Sequence, residues 1–167
     1  MSVNRKNIMV KTAQRYVDAG TFSGIEWQVQ HRGALCHSGS VGRAGCDSST
    51  PIPDQAIYRI YSMTKPIVAA MAVILLQENR LHLFDPVANF ISGFKDSSIL
   101  HSNGTREKAT VPITIEHLLT HRAGLSYDFL PDCPVGALYR ESRLAEDGDR
   151  SLTDFVNDLA AMPLAFN

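Results

Sequence analysis

A serine and a lysine three positions apart have the clearest chemical potential in this chain. Ser62 follows a short β-prone run, and Lys65 precedes about ten apolar residues, 67–76. Residues three apart on a helix lie side by side, so the lysine amine can reach the serine hydroxyl. A serine hydroxyl becomes a competent nucleophile when a neighbouring base takes its proton. The spacing therefore predicts Ser62 as a nucleophile and Lys65 as its general base.

The start of an apolar helix suits this chemistry. A lysine base must be neutral part of the time, and both apolar surroundings and the positive end of a helix dipole disfavour the ammonium form. Free backbone N–H groups at the same helix end suit a developing oxyanion. The structural alternative is a serine that caps the helix and a lysine that extends into solvent. The Ser-x-x-Lys spacing at 62–65 alone leaves both interpretations open.

The elements before Ser62 indicate one helix and a small sheet. Apolar residues at helical spacing predict a helix over 4–19, and Gly20 closes it. Alternating apolar and polar residues predict a strand over 25–30 that pairs with 34–42 through a hairpin turn. A third short strand is predicted at 57–61, directly before the serine.

The helix that follows Ser62 extends to about Asn79 and is apolar on all sides. Such a helix is expected to be buried on most of its surface. A second short helix is predicted over 86–92, after a turn.

The remainder of the chain is predicted to be mainly helical. Thr114 is expected to cap a helix that Gly124 ends, and an amphipathic helix is predicted over 151–162. The stretch 95–111 is interpreted as a polar loop and 125–150 as irregular.

Composition excludes several classes of function. The chain has 167 residues, of which 44% are hydrophobic, and a net charge of −1, which is typical of one globular domain. A near-neutral balance argues against nucleic acid or an anionic membrane as a partner. The N-terminus has no apolar run of signal-peptide length, and 67–76 is too short to span a bilayer. We therefore expect a cytoplasmic protein.

No metal or cofactor is predicted. Cys36, Cys46 and Cys133 form no pair with metal-site spacing. His117 and His121 are four apart on one helix face, but Leu118 stands where a zincin has glutamate and no third ligand is indicated. We interpret both histidines as structural residues near the cleft.

Three segments together resemble a known family. They are 58–66 (YRIYSMTKP), 79–87 (NRLHLFDPV) and 113–125 (ITIEHLLTHRAGL), in this order. The joint pattern resembles the serine β-lactamase-like family, which includes class C β-lactamases, penicillin-binding DD-peptidases and family VIII carboxylesterases. The continuation of the third segment to Tyr127 is most similar to the esterases. The resemblance covers nearly the whole chain from about residue 10.

The resemblance implies an α+β fold of the α/β sandwich type. It would comprise an N-terminal helix and β-hairpin, a central buried helix and a helical region, in a single incomplete domain over 1–167. Its helix and sheet strands would occupy 1–62, and its mainly helical part 63–167. The family's later tyrosine motif and its Lys-Thr-Gly or His-x-Gly strand have no counterpart here. None of the five tyrosines occupies the family's tyrosine position.

The implied function is a serine hydrolase that forms an acyl-enzyme from a small-molecule ester or amide, with carboxylesterase favoured over β-lactamase. Ser62 would be the nucleophile, Lys65 the base, and Tyr127 a substrate-binding residue of the acyl pocket. We expect these 167 residues alone to be inactive or nearly so. The alternative is a non-catalytic binding or assembly fragment in which Ser62 is only a helix cap.

Overall fold

The structure is a computed structural model that describes residues 3–146 and 148–166. The chain divides into two compact units between Ile60 and Tyr61. This division lies two residues before the predicted boundary between the sheet strands and the mainly helical part. Four residues of the predicted domain lie outside the described residues: Met1, Ser2, Asp147 and Asn167.

The first unit consists of a helix and a β-hairpin, as predicted. Helix α1 (Val3–Asp18) packs against the hairpin, in which β1 (Gly24–His31) pairs antiparallel with β2 (Ala34–Gly42). Arg32 and Gly33 form the turn, both with positive φ, which matches the right-handed twist of the two strands. The alternating pattern of the sequence identified this hairpin correctly.

The predicted third strand at 57–61 is wrong. Among the described residues, the sheet of this unit contains only β1 and β2, and the segment 57–61 pairs with neither strand. Ile57 is 99% exposed. A side-chain contact holds the segment instead, because the Tyr58 hydroxyl donates a 2.7 Å hydrogen bond to the Glu26 carboxylate.

The second unit begins with a 3₁₀ turn (Tyr61–Met63) that leads into α2 (Thr64–Gln77). The prediction that this central helix is buried is wrong for this chain, because none of its residues is buried. Ile67, Met71 and Ile74 are each more than half exposed. No described element of the second unit covers these side chains. Within the part of the chain that the structure describes, no helix is long and apolar enough to cross a membrane.

The next elements are shorter than the sequence pattern indicated. Two 3₁₀ turns, Val87–Asn89 and Ser92–Phe94, stand where one short helix was predicted. The expected loop at 95–111 contains a small hairpin of β3 (Ser98–Leu100) and β4 (Arg106–Lys108). Three-residue strands are too short to show alternation, which explains why the hairpin was missed.

Helix α3 (Ile115–Leu119) begins as predicted at Thr114. The Thr114 hydroxyl accepts a hydrogen bond from the backbone N–H of His117, and His117 Nδ1 accepts one from Thr114 N, both at 3.3 Å. The helix ends before His121, whose φ of 57° is left-handed, and not at Gly124. Gly124 has a different function, which is described below.

Two further helices complete the second unit. Helix α4 (Pro134–Glu141) lies in the stretch predicted to be irregular, whereas α5 (Leu152–Ala161) was predicted, and the Ser151 hydroxyl caps it. The core of this unit has two clusters. One contains Val87, Phe94, Ile113, Ala123, Ala160 and Leu164, and the other Val135, Tyr139 and Leu144.

The segment 163–166 joins the parts of this core through its backbone. Leu164 bonds to β3, with its N–H donating to Ser98 O at 2.7 Å. Ala165 N donates to Gly124 O, also at 2.7 Å. The loop that follows α3 is therefore held in place by the segment that follows α5.

Candidate active site around Ser62

The turn before α2 places Ser62 and Lys65 in contact. Ser62 is the middle residue of the 3₁₀ turn, and Lys65 is the second residue of the helix. Lys65 Nζ donates a 3.0 Å hydrogen bond to Ser62 Oγ. Tyr61, directly before the serine, has a left-handed φ of 42°. Strained backbone of this kind in a non-glycine residue is concentrated at functional sites.

The structure contradicts the idea that Ser62 is a helix cap. The N-cap of α2 is Met63, and no side chain makes a capping hydrogen bond there. The serine hydroxyl instead bonds with the lysine amine. The interpretation of Ser62 as a helix cap therefore lacks the capping hydrogen bond that it requires.

A cavity of about 810 Å³ opens beside the pair, within the second unit. This volume is in the range of small-molecule sites. Its walls come from three places: the start of α2, the loop after α3, and α4 and α5 with the residues between them. The lining residues are Ser62, Lys65, Leu118, His121, Ala123, Leu125, Ser126, Tyr127, Asp128, Tyr139, Leu144, Ala145, Phe155 and Leu159.

Tyr127, predicted to bind substrate, lies on the wall of this cavity. Its ring stacks on that of Phe129, with the ring centroids 4.8 Å apart. Stacking fixes the orientation of an aromatic ring while leaving its other face free for a ligand. The structure thus brings the three predicted site residues, Ser62, Lys65 and Tyr127, to one cavity.

The two histidines of this segment, His117 in α3 and His121 two residues after its end, are used differently. His117 accepts the backbone hydrogen bond of the capping box, so its ring serves the helix end. His121 lines the cavity and also a second, open depression along the start of α2. Within residues 3–146 and 148–166, no group of three His, Cys, Asp or Glu side chains could hold a metal ion.

Sequence reasoning missed the polar groups that α4 contributes. Tyr139 is 4% exposed and lines the cavity. Burial raises the pKa of this phenol. Ser126 Oγ lies 3.1 Å from Cys133 Sγ. Pro134 at the first helical position was the available signal for this helix.

Comparison with known proteins identifies the family. The family model named Beta-lactamase matches residues 9–167. The chain therefore belongs to the Beta-lactamase family, as the three sequence segments indicated.

The relatives include an esterase and a structurally characterised hydrolase. Protein Rv1367c of Mycobacterium tuberculosis is 32% identical over 151 residues, covering 88% of this chain and 37% of its own length. Esterase EstB of Burkholderia gladioli is 31% identical over 143 residues, covering 83% and 34%. The structure of EstCE1, a hydrolase with promiscuous acyltransferase activity, matches with a TM-score of 0.72 and 25% identity, over 93% of this chain and 39% of EstCE1.

These matches confirm the predicted α+β class and the β-lactamase-like fold. The matched region spans slightly more than a third of the length of each of these relatives.

Proposed function

We propose that this chain contributes the nucleophile and base of a serine hydrolase that cleaves small-molecule esters through an acyl-enzyme. The observation that supports the proposal most directly is the 3.0 Å contact between Lys65 Nζ and Ser62 Oγ at the edge of the cavity. An exposed serine that only stabilised the fold would need no such partner.

The reaction follows from this contact. A neutral Lys65 amine takes the Ser62 proton while Oγ attacks the ester carbonyl carbon. The carbonyl electron pair moves to oxygen and returns as the bond to the alcohol breaks, and the ammonium supplies the leaving alcohol with its proton. Water then attacks the acyl-enzyme by the same route, releasing the acid and restoring the Ser62 hydroxyl. Tyr127 contacts the acyl group from the cavity wall.

An ester is the preferred substrate because two relatives are described as an esterase and as a hydrolase with acyltransferase activity. The cavity agrees with a mostly apolar acyl group, since Leu118, Leu125 and Phe155 are among its lining residues. An amide remains the second choice within the same mechanism.

We expect these 167 residues alone to hydrolyse esters slowly or not at all. The chain matches only 34–39% of EstB and EstCE1. The exposed apolar surface of α2, which contains Lys65 and follows Ser62, supports a site that lacks part of its protein surroundings. The same surface supports a second candidate function, a binding or assembly module in which α2 docks onto another polypeptide.

Covalent labelling separates the two functions. A fluorophosphonate probe should modify Ser62 in the folded chain, located by peptide mass, and Ser62→Ala should abolish the label. Lys65→Ala should slow labelling by about a hundredfold or more, within the range of general-base contributions. Ser49→Ala, a change at an exposed loop serine of the first unit, is the matched control and should leave labelling unchanged.

Two results would contradict the catalytic proposal. One is an equal labelling rate in Lys65→Ala and the parent chain. The other is a folded chain that the probe does not label, which would favour the assembly function. Turnover of p-nitrophenyl butyrate at the rate of EstB would contradict the expected inactivity of this chain alone.

A further inference from the structure

The lining of the Ser62 cavity is divided by chemistry along the chain. The start of α2 and the loop after α3 supply its charged groups, Lys65 and Asp128. The helices α4 and α5 and the segment between them supply mainly hydrocarbon. These lining residues are Tyr139, Leu144, Ala145, Phe155 and Leu159. A ligand that fills the cavity therefore meets polar groups at the start of α2 and an apolar wall at α4 and α5.

The apolar wall is part of the core of the second unit. Leu144 is 3% exposed and belongs to the buried cluster that contains Val135. Phe155 and Leu159 are partly buried and pack against this cluster. Core side chains are packed as densely as organic crystals, so they hold their positions. The wall therefore has a fixed shape, which limits the size of a group that lies against it.

Arg150 joins two parts of this wall. Its Nη1 donates a hydrogen bond to Asp158 Oδ2 on α5, and its Nη2 donates one to the Arg143 carbonyl oxygen, both at 3.1 Å. Arg143 directly precedes Leu144 in the segment after α4. The guanidinium carbon of Arg150 also lies 5.9 Å from the centroid of the Phe155 ring, within the range of a cation–π contact. One planar side chain thus fixes the peptide before Leu144 relative to Phe155.

We infer that this wall is the subsite for a linear acyl chain of medium length, and that Arg150 is the positioning residue that fixes how long the chain can be. The inference rests on the proposed ester hydrolysis and specifies its substrate class as esters of acids such as octanoic acid. The ester group lies beside Ser62 and Lys65, and the hydrocarbon lies along Leu144 and Phe155. The cavity volume of about 810 Å³ is in the upper part of the range for small-molecule sites, which leaves room for such a chain.

Binding of fatty acids to the Ser62→Ala chain tests the subsite without a reactive serine. Butanoate, hexanoate and octanoate are titrated below their micelle concentrations in a calorimeter. The dissociation constant should fall about fourfold for each methylene buried, so octanoate should bind at least about tenfold more tightly than butanoate. Phe155→Trp should weaken octanoate severalfold while leaving butanoate unchanged, because the larger ring shortens the subsite. Phe155→Leu should extend the gain in affinity to decanoate. Octanoate that binds no more tightly than butanoate overturns the inference.

The exposed face of α2 is another apolar surface available to a fatty acid, so its contribution is measured separately. Met71 is 60% exposed on that face. Met71→Gln should leave the affinity for octanoate unchanged, because α2 contributes only its first turn to the cavity. A loss of octanoate affinity in Met71→Gln as large as the loss in Phe155→Trp overturns the assignment of the subsite to α4 and α5.

Variants of Arg150 test its positioning role through the dependence of affinity on chain length. Arg150→Lys and Arg150→Met should both reduce this dependence, because neither side chain has the planar fork that reaches Asp158 and the Arg143 carbonyl together. Arg143→Met is the matched control. It removes the exposed 2.8 Å ion pair with Glu146 in the same segment and keeps the Arg143 carbonyl oxygen. The positioning role is overturned if Arg150→Met, with native circular dichroism, keeps the chain-length dependence, or if Arg143→Met loses it equally.

Acylation of Ser62 in the parent chain then relates the subsite to the reaction. Peptide mass should show faster acylation by p-nitrophenyl octanoate than by p-nitrophenyl butyrate, and equal rates overturn the inference about the substrate. Failure of the proposed hydrolase has a different signature. In that case neither ester nor the fluorophosphonate modifies Ser62, while the chain-length dependence of fatty-acid binding persists and still supports the subsite.

Discussion

Gly124 is expected to be the glycine at which an added methyl group is most damaging to the second unit. Its φ of +72° is left-handed, and a Cβ there would meet the backbone oxygen of Phe166 well inside van der Waals contact and Leu164 Cβ at 3.0 Å. The atom that must move is backbone, so rotation of a side chain cannot relieve the contact. Gly124→Ala should therefore displace the segment 163–166 from the loop that lines the cavity.

The magnitude follows from three contributions. Left-handed backbone costs an alanine about 1–2 kcal/mol. Overpacking against a fixed neighbour adds about 1–3 kcal/mol. Loss of the 2.7 Å hydrogen bond from Ala165 N to Gly124 O adds about 1 kcal/mol. Gly104→Ala is the matched control, because Gly104 has a φ of +83° and an added Cβ would meet nothing within 4 Å. The control should lose only the backbone contribution.

Urea unfolding followed by far-ultraviolet circular dichroism tests this difference. Fluorescence is unsuitable, because the single tryptophan, Trp27, lies in the first unit. Gly124→Ala should lose at least about 2 kcal/mol more unfolding free energy than Gly104→Ala. Equal losses in the two variants would show that close approach of the 163–166 backbone does not decide the requirement for glycine at 124.

Two further predictions concern single hydrogen bonds. Thr114→Ala should cost about 1 kcal/mol of unfolding free energy because it removes the capping box of α3, and Thr114→Ser should recover most of the loss in the same urea experiment. The hydrogen bond to Glu26, together with burial and the Glu26 charge, raises the pKa of Tyr58 above 10.0. The folded state thus holds this proton more tightly than the unfolded chain, and its contribution to stability is present below pH 10.0 and lost as pH rises through the folded pKa. Glu26→Gln should lower the Tyr58 pKa measured by ring-carbon NMR, and an unchanged value would refute the assignment.

Local patterns predicted the elements that depend on local sequence. The β1–β2 hairpin, α1, the Thr114 cap and α5 follow from alternation, helical spacing and cap chemistry, and the structure has all of them. The segment 57–61 has strand-like residues, but a strand also needs a partner, which local sequence cannot supply. The composition of α2 predicts burial for the same local reason, yet no described element of its unit covers it.

Only part of the candidate site was visible in the sequence. Ser62 and Lys65 were identified because residues three apart at a helix start lie side by side. Tyr127 was identified because it follows the recognisable segment 113–125. Tyr139 and Ser126 reach the cavity because α4 folds back against the loop after α3, where Gly136 packs close to the carbonyl oxygens of that loop. Long-range packing of this kind leaves no periodic pattern in the sequence.

The 3₁₀ turn before α2 departs in two ways from the locally most stable arrangement, and this supports a catalytic use of Ser62. A non-glycine residue, Tyr61, occupies left-handed backbone at a cost of about 1–2 kcal/mol. The helix that follows has no side-chain cap, although Ser62 is adjacent and serine caps typically contribute about 1 kcal/mol. The hydroxyl that could have capped α2 lies instead 3.0 Å from the Lys65 amine, beside a cavity of ligand size. Natural sequences depart from local rules mainly where function requires it, and both departures here place one serine oxygen next to one amine.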